Sequence, residues 1–152
     1  TCALPILYIC NSLIGEKDFY KEYKHELLET PNIYPVGFVD INGSIFRELT
    51  EKCAYSIMPS CSEGLAGSIL TVMSAGVIPI VSKECGFDDD EVINLSDCKI
   101  DTIEKFIRDY SIKPDEWINK ESSHVVEIVK TRYSRQNFTD SVIAAMNKLT
   151  SL

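Results

Sequence analysis

The chain has 152 residues, 45% of them hydrophobic and 25% charged, with a formal net charge of −8. That length and apolar share suit one domain built from a sheet with helices on both faces. The acidic balance argues against a nucleic-acid footprint or a polybasic membrane contact, and no apolar run approaches the ~18–20 residues that would span a bilayer.

Apolar strands alternate with helical segments, the mark of a parallel sheet with crossover helices. Leu4 to Cys10 reads as a continuous apolar strand, turned by Asn11 to Gly15. A helix over Lys17 to Glu29 leads to a second strand, Ile33 to Val39. Ser44 to Cys53 reads as a second helix, since Ile45, Leu49 and Cys53 recur at four-residue spacing. Tyr55 to Met58 and Val77 to Val81 are the third and fourth strands, with a short fifth over Val92 to Leu95. Three helices close the chain: Asp101 to Tyr110, Asp115 to Arg132, and Ser134 to Leu149. Asp101 and Pro114-Asp115 are their start signals, because Pro fits a first turn and Asp suits the positive dipole end.

The densest signal lies between the third and fourth strands, at Pro59-Ser60-Cys61-Ser62-Glu63-Gly64-Leu65-Ala66-Gly67-Ser68. A strand that delivers its chain through a small-residue turn into a helix start leaves unpaired N–H groups beside a positive dipole end, a place for an anion such as a diphosphate. Gly64 and Gly67 are expected to let backbone approach a ligand, Ser68 to cap the helix, and Glu63 to stand as the one carboxylate in the turn. Ser68 and Thr71, three apart, share a helix face opposite Ile69, Leu70, Val72 and Met73. If the sheet is parallel, Asn11 to Gly15, Pro59 to Gly67 and Ser82 to Asp90 all fall in the crevice at its carboxyl ends. Each residue also has a plainer account: turn glycines, a solvated Glu63, a surface Thr71.

The ordered run Pro59-Ser60, Glu63-Gly64, Met73-Ser74-Ala75-Gly76 and Val77 to Ser82 resembles the donor-binding half of retaining glycosyltransferases with two Rossmann-like domains (the GT-B type), the glycogen-synthase-like and sucrose-synthase-like superfamily. Asn32 to Val39, Cys53 to Met58 and Tyr133-Ser134 extend the likeness over most of the chain. The resemblance implies a Rossmann-like, mainly parallel sheet with helices on both faces and a helical carboxyl-terminal segment. One donor domain would span 1–152, its amino-terminal acceptor domain lying outside this chain. It implies a nucleotide diphosphate sugar as substrate, transfer with retention in polysaccharide or glycoconjugate synthesis, and no cofactor or metal. Glu63 would contact the donor sugar as the catalytic carboxylate, and Gly64, Leu65, Ala66, Gly67, Ser68 and Thr71 would bind the donor.

Two departures qualify this. The family's second Glu, which holds the ribose hydroxyls, falls at Thr71, and losing a charged acceptor there costs roughly 1.5–3 kcal/mol of binding. The family's diphosphate Arg and Lys would precede Thr1, so the isolated chain is expected to be inactive. A degenerate, non-catalytic module that keeps the fold for binding or assembly is therefore the alternative. An epimerase-like nucleotide domain explains the alternation but not the ordered motif.

The remaining polar features read as structural. Asp88-Asp89-Asp90-Glu91 is expected to be a solvated acidic loop, because adjacent side chains diverge and a calcium loop needs alternating ligands. His25 and His124 have no nucleophile or acid in view. Cys2, Cys10, Cys53, Cys61, Cys85 and Cys98 lack paired spacing and are expected to be buried reduced thiols. Thr1 to Pro5 carries no basic leader, which with the thiols points to the cytoplasm.

Overall fold

The computed structural model describes residues 5–12 and 15–150. By contact the chain divides into two compact units, 1–49 and 50–152, with the division falling inside one helix.

In the first unit, β1 (Leu7–Ile9) and β2 (Ile33–Pro35) pair in parallel, Leu7 opposite Ile33 and Ile9 opposite Pro35. The Tyr8 and Tyr34 rings, opposite each other in this register, stack at 5.5 Å. Between the strands run α1 (Lys17–Glu22) and α2 (Lys24–Glu29) where one helix is predicted. The break is a bend at Tyr23 (φ −104°, ψ 20°), and the ladder passes through it. The Tyr23 N–H donates to the Phe19 carbonyl and the Leu27 N–H to the Tyr23 carbonyl, both at 3.0 Å. The second strand stops at Pro35, short of Val39, because the Val36 and Gly37 N–H groups both fall on the single Ile9 carbonyl. Leu4, Leu13 and Ile14 lie outside the described residues, so the predicted strand start and the middle of the Asn11 to Gly15 turn are not placed. Helix α3 (Ser44–Lys52) follows.

The second unit contains β3 (Tyr55–Met58), α4 (Gly67–Ser74), β4 (Ile78–Val81), a 3-10 turn over Lys83–Cys85, β5 (Ile93–Asn94), α5 (Ile100–Ser111), α6 (Asp115–Arg132) and α7 (Arg135–Thr150). Its sheet is parallel in the order β3-β4-β5. Every residue of the central strand β4 is buried, as an unbroken apolar run flanked on both faces requires. On one face Met58 and Val81 join Ile69 and Met73 of α4 and Val125 and Ile128 of α6 in the core. Tyr55 points to the other face, because side chains alternate along a strand. There its hydroxyl donates to the Tyr110 carbonyl of α5 at 3.0 Å.

Gly76 ends α4 in the left-handed region (φ +84°), and a Cβ there would lie 2.6 Å from Ser122 Oγ of α6, so glycine serves both the turn and the helix approach. The chain is thus an α/β protein with small parallel sheets and carboxyl-terminal helices. Its described pairings form sheets of two and three strands. Among the described residues no helix is long and apolar enough to cross a membrane.

Candidate functional site

The parallel register brings the turns after β3 and β4 together at the carboxyl ends of the strands. Their backbones are stitched: the Glu63 N–H donates to the Glu84 carbonyl at 3.1 Å, and the Ala66 N–H to the Cys85 carbonyl at 3.2 Å. Side chains of the second turn complete the join. Ser82 Oγ donates to the Ser60 carbonyl at 2.5 Å, and Cys85 Sγ to the Met58 carbonyl at 3.5 Å. Ser82 and Cys85 are buried while Glu63, Gly64, Leu65, Gly67 and Ser68 are exposed, so one turn is anchored and the other presented.

The expectations for the presented turn divide. No group among the described residues accepts from the N–H of Gly64, Leu65, Gly67 or Ser68, and these donors cluster where α4 begins. Ser68 is not the cap. The cap is Ala66, which offers no side-chain bond, while Ser68 lies inside the first turn with Oγ 4.0 Å from Met58 Sδ. Neither Gly64 nor Gly67 has positive φ, and a Cβ at either would meet nothing within 4 Å. The requirement sits at Gly86, with φ +78° and a virtual Cβ 1.9 Å from the Gly64 carbonyl oxygen. The two turns can close on each other only if residue 86 has no side chain.

Glu63 is exposed and accepts from Ser60 Oγ at 3.4 Å. Thr71, half-buried on α4, spends its hydroxyl on its own helix, donating to the Gly67 carbonyl at 2.9 Å. Ile69 and Met73 are buried beneath it, and Leu70 and Val72 are partly buried against the same core, as the helix-face assignment expects.

A depression of about 370 Å³ opens beside these turns, lined by residues 60–61, 82–84 and 95–98. It therefore takes its walls from the carboxyl ends of all three strands. None of the residues assigned to donor binding from sequence lines it. Ser60 links the two places, lining the depression while donating to Glu63. At its far wall Asp97 accepts from the Lys99 N–H at 3.0 Å. A bond from the Thr102 hydroxyl, then the Lys99 N–H, holds its carboxyl below the usual aspartate value.

The acidic run 88–91 is not uniformly solvated. Asp88, Asp89 and Asp90 are exposed, but Glu91 is only 3% exposed. Glu91 accepts from Arg132 Nη1 at 3.0 Å, the Tyr133 hydroxyl at 2.7 Å and the Asp88 N–H at 3.0 Å. Burying a carboxylate is tolerable only with such partners. Arg132 also holds Asp90 at 2.5 Å, which lowers the Asp90 carboxyl, while Asp90 first and Glu91 second raise the guanidinium. Burial, then the Glu91 bond, raises the Tyr133 hydroxyl. Glu91's side-chain partners lie 41 and 42 residues away, so no local pattern could have marked it.

The histidines are exposed: His25 pairs with Glu29 at 2.9 Å and His124 meets the Asp90 carbonyl at 3.2 Å. The thiols depart from the expected burial, since Cys85 alone is buried among those described, Cys53 is half-buried, and Cys10, Cys61 and Cys98 are exposed. Cys2 lies outside the described residues. Among the described residues no cluster of three or more His, Cys, Asp or Glu could hold a metal ion. Comparison with family models, with curated proteins and with solved structures returned no match.

Proposed function

We propose that this chain is the donor-binding, Rossmann-like half of a retaining glycosyltransferase of the two-domain GT-B type. The observation that carries the reading is the presented turn after β3, where the N–H groups of Gly64, Leu65, Gly67 and Ser68 have no acceptor among the described residues. A diphosphate on that turn would meet preset donors and the positive end of α4. As the glycosidic bond breaks, charge grows on the leaving diphosphate, so these donors would stabilise the transition state more than the ground state. Glu63, exposed at the turn and steadied by Ser60, would orient the donor sugar. The acceptor would be supplied by another domain, in the cytoplasm.

A non-catalytic binding module is the second reading, favoured by Thr71, whose hydroxyl is bound to the Gly67 carbonyl instead of a ligand. Calorimetric titration with uridine, guanosine and adenosine diphosphates separates the two. Weak binding is expected of the chain itself, tightening about tenfold in Thr71→Glu as a charged acceptor returns to the ribose. Within a transfer-competent protein, Glu63→Ala should lower transfer while leaving the unfolding midpoint unchanged. Unchanged transfer in Glu63→Ala together with no response to Thr71→Glu would leave the module as the better account.

A further inference from the structure

The depression at the ends of β3, β4 and β5 is distinct from the presented turn, and its chemistry points to a different part of a ligand. Its floor includes Leu95, which is only 2% exposed, so a ligand there would lose water on one face. Its lining also includes the serines Ser60 and Ser96, the acidic residues Glu84 and Asp97, and Lys83. These carboxylates are not equivalent. Asp97 is engaged by the Lys99 N–H and by the Lys99 ammonium at 3.5 Å. No group among the described residues engages the Glu84 carboxylate, although its main-chain carbonyl is fixed by the Glu63 N–H at 3.1 Å. A two-oxygen acceptor on an anchored backbone, beside hydroxyls and an apolar floor, matches a ring bearing adjacent hydroxyl groups.

We propose that this depression is a saccharide subsite in which Glu84 accepts from a vicinal diol of the ligand. The inference rests on the glycosyltransferase reading for its biological sense. It supplies the diol acceptor that Thr71, bonded back onto α4, does not provide. A ribose and a hexose share this chemistry, so the source of the diol is decided by experiment.

The test is amide-resolved NMR titration of the full chain with glucose, galactose and mannose in one arm and uridine and adenosine in the other. Saturable shifts at Leu95 and Ser96, absent with deoxy analogues lacking the diol, are expected from one arm, which names the source. Glu84→Gln should weaken that binding about tenfold while Glu84→Asp keeps part of it, because a neutral amide both loses charge and presents a donor. Wild-type and Glu84→Gln chains that titrate alike, or no shift with any diol, would overturn the proposal. Its fate is separable from that of the donor-binding reading. Nucleoside diphosphate shifts confined to Gly64 to Ser68, with no shift at Leu95 or Ser96 from any hexose, would sustain that reading and sink this subsite. Hexose shifts at Leu95 and Ser96, with none at Gly64 to Ser68 from any diphosphate, would do the reverse.

Discussion

The turns after β3 and β4 sit side by side at the same end of one sheet and obey opposite rules. The β4 turn buries Ser82 and Cys85, directs their side chains at the backbone of its neighbour, and needs a left-handed glycine at 86. The β3 turn exposes Glu63 to Leu65, holds glycines without positive φ and leaves the N–H groups of Gly64, Leu65, Gly67 and Ser68, among others, without an acceptor among the described residues. The glycines richest in apparent meaning are thus ones the fold itself does not require, and the folding constraint lies in the less conspicuous turn. A scaffold of this kind concentrates packing in one turn, so that the adjoining backbone can keep its donors available.

The comparison breaks most visibly at glycine. Gly86→Ala should lower unfolding free energy by about 3 kcal/mol or more, because it adds positive-φ strain and drives a Cβ into the Gly64 carbonyl. Gly64→Ala and Gly67→Ala should each stay within about 0.5 kcal/mol, since their Cβ atoms enter open space. Urea denaturation measures all three, and equal losses would dissolve the distinction between the turns.

Carboxylates sharpen it next. Glu91→Gln should cost about 1.5–3 kcal/mol, the value of charge-assisted bonds lost in a buried place, whereas Glu63→Gln should cost less than about 0.5 kcal/mol. A Glu63→Gln chain as unstable as Glu91→Gln would mean that the presented turn also supports the fold.

The gentlest probe is pH. The Asp90 carboxyl is lowered by Arg132, so its contribution is full above the unfolded aspartate value, about 4, and fades as pH falls through the lower folded value. The Tyr133 hydroxyl is raised, so its contribution is full below about 10 and fades as pH rises toward the folded value. Asp90→Asn should make the acid limb shallower, where the likewise lowered Asp97 also contributes, and Tyr133→Phe the alkaline one, where the raised Tyr55, Tyr110 and Cys10 also contribute. A pH–stability curve that those substitutions leave unaltered would show that the Arg132 cluster is not what ties 88–91 to the end of α6.

Local pattern carried the elements well where strands were buried and helices bounded. Tyr55 to Met58 and Asp115 to Arg132 lie at the predicted limits, because an apolar strand and a Pro-Asp start followed by a long helical run are contiguous signals. The helix over 17–29 bends at Tyr23 although Phe19, Tyr23 and Leu27 keep four-residue spacing, so periodicity cannot register the bend. The site was legible as a turn and a helix start, but not in its division of labour. Gly86 is constrained by a carbonyl 22 positions earlier in the chain, and Glu91 is buried by residues of a distant helix end. Such demands arise only when the chain has closed on itself. Ser68 reads as a cap by type, yet the helix begins one residue before it.

The burial of Cys85 has a kinetic meaning. Its thiol is fully enclosed while Cys61, in the neighbouring turn, is exposed, so a thiol reagent meets one sulfur at once and the other only when the β4 turn swings open. The ratio of their labelling rates is therefore a clock for that opening, with the fast hand supplying the intrinsic chemistry and the slow hand the fraction of time the latch is undone. Any ligand that holds the two turns shut would make the slow hand slower still.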